Sequence, residues 1–177
     1  ESGPPDRHPW LHIPAGFIRV GYHPRLTWGF TSEPTPDTAG RGVKAFMGRT
    51  IGGSSSINGF NYTRGLPLDY DTWAAQGNPG WSFAEVLPYF KRTERRIGPH
   101  DPRWRGSSGL LPITDCDWRH PLCDAYIESA RHVGLPSHVD YNAGSQTGAG
   151  YYQRWIVNGW RVSAAKAFLK PVLSRRN

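Results

Sequence analysis

The strongest hydrophobic pattern in this chain lies between residues 81 and 95. Its apolar residues recur at the spacing of one helix face: Phe83, Val86, Leu87 and Phe90. Its polar residues trail on the other side: Lys91, Arg92, Glu94 and Arg95. Ser82 and Glu85 have the spacing of a capping box. The pattern predicts a helix that begins at residues 81–85, with Pro88 as the place where it can bend.

Other helices are predicted from similar patterns and from their end signals. A short helix is expected near Ile13–Val20, inside an N-terminal region that Pro and Gly otherwise keep as extended loop. Two more are expected at Leu68–Gln76, before the breaker cluster at residues 77–80, and at about Pro121–Val133, before a glycine. The last helix is expected from Ser163, as its cap, to about Leu173.

Short strands are predicted where aromatic and β-branched residues cluster. These segments are Trp28–Thr31, Lys44–Met47 and Tyr151–Val157. Asn158-Gly159 then predicts a hairpin turn. Helices, strands and loops are mixed along the chain, and no internal repeat interrupts them. This order predicts an α/β or mixed α+β fold class.

Composition limits the classes of function. Aromatic residues make up 13% of the chain and charged residues 20%, so the chain has enough apolar surface to form a globular core. No apolar run approaches the length of about 20 residues that spans a bilayer, and the N-terminus lacks a signal-peptide pattern. The formal net charge is +7, but the basic residues are scattered, so no nucleic-acid partner is expected.

The two cysteines give no sign of a redox or metal site. Cys116 and Cys123 are separated by two helical turns, too far for a disulfide unless the chain folds back between them. They do not form a Cys-x-x-Cys pair. Two reduced thiols and no metal site are therefore expected.

The segment from Gly48 to Gly65 carries the most chemistry. A predicted strand enters two glycines, and the serines that follow favour a helix start. The free N–H groups at a helix start attract phosphate, and Gly52 and Gly53 would let a ligand approach the backbone closely. Ser54 offers a hydroxyl, and Asn58 offers both a donor and an acceptor. From the residues alone, a plain helix cap remains the alternative.

The spelling of this segment resembles the first signature of the glucose–methanol–choline (GMC) oxidoreductase family. Residues 48–71 fit that signature at every position. Further blocks of the family follow in order: Asp69–Trp73, Gly77–Trp81, Leu87–Phe90 with Glu94, Asn158–Arg161 and Ser163–Ala165. Glu1–Pro4 also matches. The resemblance therefore covers essentially the whole chain.

The resemblance implies an FAD site and names its residues. Glu1 occupies the position of the acid that binds the adenosine ribose. Thr50, Gly52, Gly53 and Ser54 would lie along the flavin side and the diphosphate. The positions expected against the ribityl chain and the isoalloxazine are Asn58, Gly59, Phe60 and Asn61. Ile57 stands where some members carry a histidine that binds FAD covalently, so non-covalent FAD is expected.

Other singled-out residues are given structural roles. Arg64 is expected to pair with Asp69 and Asp71, and Trp73 and Trp81 are expected to anchor the core. The seven histidines match no catalytic position of the family. The family's catalytic histidine is expected beyond the C-terminus, so no catalytic residue is assigned within this chain.

The resemblance also implies a domain plan. Residues 1–115 are expected to form part of an FAD-binding, Rossmann-like region. Residues 116–177 are expected to begin the substrate-binding region and to return to the FAD domain. Because the family's glycine-rich dinucleotide turn would precede Glu1 and its catalytic histidine would follow residue 177, the chain is expected to be an internal fragment.

The implied activity is oxidation of a CH–OH group by FAD, with choline-dehydrogenase-like members as the nearest resemblance. The expected partners are a small alcohol, polyol or choline-like donor and an electron acceptor such as oxygen or a quinone. The cytoplasm is the expected location. Two alternatives stay open: an FAD-containing hydroxynitrile lyase of the same fold, and an inactive flavin-binding module. A nucleic-acid binder is a further rival that the scattered charge disfavours.

Overall fold

The computed structural model describes residues 1–137 and 140–176. Within them the chain divides into two compact units. The first unit contains Glu1–Phe60 and the segment from Ile156 onward, and the second unit contains Asn61–Trp155. The domain boundary predicted near residue 115 concerns the family's functional domains and stays a prediction.

The first unit is built mainly from turns. Two 3-10 turns, Pro9–Leu11 and Pro14–Gly16, lead into a one-turn helix, α1 (Phe17–Val20). Each 3-10 turn begins with a proline, whose missing N–H costs nothing at that position. The helix predicted at residues 13–20 is therefore present, but only its second half is α-helical.

Two antiparallel strand pairs complete the first unit. β1 (Phe30–Thr31) pairs with β2 (Lys44–Ala45), and β5 (Ile156–Val157) pairs with β6 (Trp160–Arg161). The turn between β5 and β6 has positive φ at Asn158 and Gly159, as the sequence predicts for this hairpin. The strand predicted from residue 151 is shorter than expected, because only its last two residues are paired as a strand.

The first unit's core is a cluster of four buried residues. They are Leu11, Val20, Leu26 and Ile57, with Trp10 packed against them. Ile57 brings the Gly48–Gly65 segment into this core. The segment therefore does not continue as a helix: it forms a single 3-10 turn, Gly53–Ser56, and then follows Ile57 inward. The predicted helix start is present only as this 3-10 turn, and no α-helix follows it.

The last element of the first unit is irregular. A π-helical stretch, Ala165–Leu169, is followed by a 3-10 turn, Lys170–Val172. Ser163 Oγ accepts a hydrogen bond from Lys166 N at 3.3 Å, which agrees with its predicted capping role. The sequence predicted a continuous α-helix to about Leu173. The structure instead has the wider π-helical stretch followed by the tighter 3-10 turn.

The second unit contains the longer helices. They are α2 (Pro67–Ala75), α3 (Phe83–Thr93) and α4 (Pro121–His132). The bounds of α2 and α4 lie within one residue of the prediction, and α3 begins inside the predicted start at residues 81–85. Ser82 N donates to Glu85 Oε2 at 3.1 Å, which is one half of the predicted capping box. β3 (Glu94–Arg96) and β4 (Leu111–Ile113) form a two-stranded parallel pair. The mixed helix-and-strand prediction is confirmed.

Glu94 is the centre of a buried charge network in the second unit. It is fully buried and forms ion pairs with Arg64 and Arg105. Arg105 also contacts Asp140, with Nη1 2.6 Å from Oδ1. The prediction that Arg64 pairs with Asp69 and Asp71 is therefore wrong, as is the placement of Glu94 on a polar helix face. Glu94 lies past the helix end, where the backbone turns it inward.

Asp69 and Asp71 instead act on nearby backbone. Asp69 Oδ2 accepts from Leu66 N at 2.9 Å, and Asp71 Oδ1 accepts from Phe83 N at 2.9 Å. Trp73 and Trp81 are about half exposed and contact each other edge to face, so they do not anchor a core within this chain.

Three further features concern the cysteines, metal ligands and helix apolarity of the described residues. Cys116 and Cys123 are both free thiols. Across residues 1–137 and 140–176, no group of three His, Cys, Asp or Glu side chains is arranged to hold a metal ion. None of the helices in these ranges combines the length and apolarity that crossing a membrane requires. Of the seven histidines, His138 lies outside the described residues.

Candidate functional site

The segment from Gly48 to Phe60 folds as a closed loop in the first unit. Gly48 N donates to Ser54 Oγ at 3.1 Å, across the loop's neck. A Cβ at Gly48 would lie 2.4 Å from the carbonyl group of Gly53, so only glycine permits this closure. Thr50 is fully buried and donates its hydroxyl hydrogen to Pro4 O at 2.9 Å. These contacts define the loop's base.

The adjacent glycines Gly52 and Gly53 have different environments. Both have positive φ, which favours glycine. A Cβ at Gly52 would lie 2.4 Å from Ser56 Oγ and 3.1 Å from the Ala165 Cβ, so Gly52 packs against the protein itself. Nothing lies within 4 Å of a Cβ at Gly53. A ligand can therefore approach the backbone at Gly53, whereas the space beside Gly52 is already filled.

The hydroxyl groups of the three serines hydrogen-bond to backbone atoms of the loop and of the segment beside it. Ser56 is buried and donates to Ile51 O at 2.9 Å. Ser55 Oγ donates to Gly52 O and accepts from Ala164 N at 2.9 Å. Only Ser54 is exposed, although its oxygen also accepts from Gly48. Because the loop contains one 3-10 turn and no α-helix, a helix dipole contributes little to anion binding here.

Arg161, on β6, fixes the end of the loop. It is almost fully buried and donates to Asn58 Oδ1 at 2.9 Å, Asn58 O at 2.8 Å and Ser55 O at 3.1 Å. Its guanidinium carbon lies 3.9 Å from the centroid of the Phe60 ring. Burial lowers the pKa of Arg161 to about 10, which leaves it charged at neutral pH.

A groove of about 390 Å³ runs beside the loop in the first unit. Its volume falls within the roughly 300–1,000 Å³ that is typical of small-molecule sites. One side is aromatic and aliphatic, and the other is formed by the loop. The lining residues are Phe17, Ile18, Gly21, Tyr22, Phe46, Ser54, Ile57, Asn58 and Gly59. Such a groove suits a flat, partly apolar ligand with a polar edge.

The structure brings most of the predicted site residues together and separates others. Ser54, Asn58 and Gly59 line the groove, and Gly53 has an open backbone. Phe60 is buried under Arg161, and Thr50 and Gly52 support the loop. Glu1 is exposed in the first unit and accepts from Gly3 N at 2.8 Å. Asn61 belongs to the second unit, where it forms a β-bridge with Arg154.

Sequence reasoning missed two contributors to this site. It assigned no role to Arg161, although the residue lies in one of the blocks used for the family resemblance. It also gave no role in the site to Phe17 of the helix expected near Ile13–Val20, to Phe46 of the strand expected at Lys44–Met47, or to Tyr22, whereas these aromatics form the apolar wall of the groove. The short apolar runs around these aromatics carry no periodic signal, so the sequence offered little means of finding them.

The chain is similar to known proteins both in sequence and in structure. The family described as GMC oxidoreductase matches residues 35–177. The oxygen-dependent choline dehydrogenase of Rhizobium etli (strain CIAT 652) is 41% identical over 177 residues, which are 100% of this chain and 32% of that relative. The chain thus spans about a third of the length of the curated relatives it matches.

Two solved structures superpose on nearly the whole chain. Pyridoxine 4-oxidase from Mesorbium loti matches with a TM-score of 0.92 and 33% identity, over 99% of this chain and 35% of that one. An FAD-dependent oxidoreductase from Chaetomium thermophilum matches with a TM-score of 0.87 and 31% identity, over 99% of this chain and 32% of that one. Because the family pattern spans well over half of its residues, the chain belongs to the GMC oxidoreductase family.

Proposed function

We propose that this chain supplies part of the FAD site of an oxidoreductase that acts on the CH–OH group of a small alcohol. Membership of the GMC oxidoreductase family supports the reaction class. The names of two similar proteins, a choline dehydrogenase and an FAD-dependent oxidoreductase, support the substrate class and the cofactor. A choline-like donor is the substrate we favour, with oxygen or a quinone as the electron acceptor.

One observation carries the proposal: the Gly48–Phe60 loop turns its open face toward the apolar groove. Ser54, Asn58 and Gly59 form the groove's polar side, and Gly53 leaves its backbone accessible. Aromatic side chains form the opposite side. The residues present therefore fit a flavin, because its ring system is flat and its edge carries hydrogen-bonding atoms.

We assign the holding of FAD to the residues of this loop. Gly53, Ser54, Asn58 and Gly59 would contact it directly, and Thr50, Gly52 and Phe60 would keep the loop in shape. Glu1 and Asn61 stay proposed contacts, to the adenosine ribose and the flavin respectively. Residues 1–115 remain our proposed FAD-binding region, with the substrate region beginning after them.

We propose that the FAD is non-covalent. Ile57 stands at the position where covalent members carry histidine, and it is buried in the apolar core with Leu11, Val20 and Leu26. A hydrocarbon side chain has no nucleophile to offer. The core contact also directs this side chain away from solvent, so its part in the site is to anchor the loop.

Bound FAD would supply the hydride acceptor for oxidation of the carbon that bears the hydroxyl group. The task of this chain is to hold and orient the cofactor and to exclude water on the apolar side of the groove. Removal of the hydroxyl proton is assigned to a histidine outside this chain. A cytoplasmic location is part of the same proposal.

The direct test uses the full-length protein that contains this chain. The purified protein should carry a flavin absorption spectrum, release FAD on denaturation, and lose its flavin absorbance when choline is added without oxygen. Release of FAD would support the non-covalent attachment. A flavin that stays oxidised with every alcohol tested would favour the hydroxynitrile lyase or the inactive module.

A blocking variant links the flavin to this groove. A Cβ at Gly59 would meet only Phe17, at 3.9 Å, and φ there is not positive, so the backbone accepts a side chain, and Gly59→Leu is designed to extend into the groove that Gly59 lines. We expect it to fold normally and to lose FAD. Ala125→Leu, on an exposed face of α4, is the matched control and should keep FAD. Normal FAD content in Gly59→Leu would contradict the proposed site.

A further inference from the structure

Arg161 makes an unusual set of contacts for a buried cation. Only about 1% of its surface is exposed. Its two terminal nitrogens donate to three acceptors, and all three belong to Ser55 and Asn58. Its own backbone N donates to His12 O at 2.9 Å, which ties β6 to the N-terminal turns. The side chain is thus committed to one short stretch of the loop.

No carboxylate balances this charge within the described parts of the chain. The ion pairs found there do not include Arg161, and its Nε is buried without a hydrogen-bond partner. Burying a cation without a counter-charge is costly, because carbonyl dipoles replace only part of its hydration. Such an arrangement is maintained only where the surrounding structure over-determines it.

The same guanidinium covers Phe60, whose backbone is in an uncommon conformation. Phe60 has φ of 70°, a region that residues with side chains rarely adopt. Its ring packs against Arg161 on one side and edge to face against Phe17, with the centroids 6.0 Å apart. Phe60 N also donates to Asn58 Oδ1 at 3.3 Å, the oxygen that Arg161 holds. Arg161 therefore determines both the amide orientation of Asn58 and the turn that follows it.

We propose that Arg161 is a positioning residue for the cofactor: its planar fork sets the shape of residues 55–60, and thereby the surface that Asn58 and Gly59 present to the flavin. This inference rests on the proposed function. Arg161 itself lies behind the loop and does not line the groove. A lysine cannot replace it, because an ammonium group cannot reach three acceptors with the geometry of a planar fork.

The test compares Arg161→Lys and Arg161→Gln in the full-length protein. Arg19→Gln is the matched control, because Arg19 also stacks on an aromatic ring, that of Trp10 at 4.8 Å, but is exposed, and among the described residues no hydrogen bond or ion pair joins its side chain to the loop. Three quantities are measured: the thermal midpoint of the apoprotein, the dissociation constant of FAD by flavin fluorescence, and the visible circular dichroism of bound flavin at saturation.

We expect both Arg161 variants to fold, with a lower apoprotein midpoint than the wild type, because each loses buried hydrogen bonds to Ser55 and Asn58. In both, the FAD dissociation constant should rise at least about tenfold, as expected when a charge-assisted contact that shapes a site is lost. The visible dichroism of the flavin should also change shape. Arg19→Gln should leave both flavin measurements unchanged.

Two results would overturn the inference. Wild-type affinity and dichroism in Arg161→Lys would show that any cation serves, and failure of both variants to fold would reduce Arg161 to a role in fold stability. Failure of the proposed function looks different, since the wild-type protein itself would then take up no FAD. The two proposals can therefore fail separately.

Discussion

Glu94 and Arg105 form a fully buried ion pair in the second unit, with Arg105 Nε 3.0 Å from Glu94 Oε1. The same carboxylate oxygen accepts from Gly106 N at 2.7 Å and pairs with Arg64. Three chain segments distant in sequence are joined at this one side chain. The pair lies outside the proposed cofactor loop, so its role is to hold the second unit together.

Removal of the Glu94 charge should destabilise the second unit strongly. Glu94→Gln leaves two buried guanidinium groups without their shared counter-charge, and breaking such a buried pair typically costs about 3–5 kcal/mol. Urea unfolding followed by circular dichroism measures the loss. Asp101→Asn is the control, because its pair with the exposed Arg103 should contribute nothing measurable. Equal effects of the two substitutions would contradict the central role of Glu94.

Stability should also depend on pH through Glu94. Burial alone would raise its pKa, but the hydrogen bond from Arg105 and the charges of Arg64 and Arg105 outweigh it, so the pKa lies below the ordinary 4.5. A depressed carboxyl pKa contributes stability that is complete above the unfolded pKa and is lost as pH falls through the folded value. Thermal midpoints should therefore fall below about pH 4.5. The thermal midpoint of Glu94→Gln should fall less over the same pH range. If the midpoints of the variant and the wild type fell in parallel, Glu94 would not be the source of the pH dependence.

Closure of the cofactor loop should require glycine at position 48. Gly48→Ala places a Cβ 2.4 Å from backbone atoms of Gly53, which cannot move without opening the loop. Overpacking of this kind costs about 1–3 kcal/mol, and we expect a lower thermal midpoint together with weaker FAD binding. Gly59→Ala is the control for stability, because its Cβ would find only an ordinary contact. A Gly48→Ala protein as stable as the wild type would show that the neck can open freely.

The β5–β6 turn should tolerate glycine at one position and reject a β-branched residue at the other. Asn158 and Gly159 have φ of 50° and 77°. Gly159→Val forces a β-branched residue into the left-handed region, at a cost of at least about 1–2 kcal/mol. Asn158→Gly keeps the turn and should change little. Differential scanning calorimetry measures the thermal midpoints of the two variants. A Gly159→Val protein as stable as the wild type would mean that the turn rearranges.

The sequence by itself determined the elements whose signals are local. Helices α2, α3 and α4 were predicted from the breaker cluster at residues 77–80, the Ser82–Glu85 cap and the glycine after α4, signals that act within a few residues. The Asn158-Gly159 hairpin follows from the same kind of short-range preference. The sequence also predicted the family, because the motif from Gly48 to Asp71 is specific to it.

Tertiary structure decided what those local signals could not. The Gly-Gly-Ser-Ser stretch has the residues of a helix start, yet burial of Ile57 among Leu11, Val20 and Leu26 draws the chain inward after one 3-10 turn. The helical pattern predicts that Glu94 lies on the surface, but in the fold Arg64 and Arg105, which come from other segments, surround it. Arg161 likewise contacts Asn58 only because the β5–β6 hairpin places its side chain next to that residue. Such roles depend on contacts between residues far apart in the chain, and hydrophobic periodicity and capping rules carry no information about those contacts.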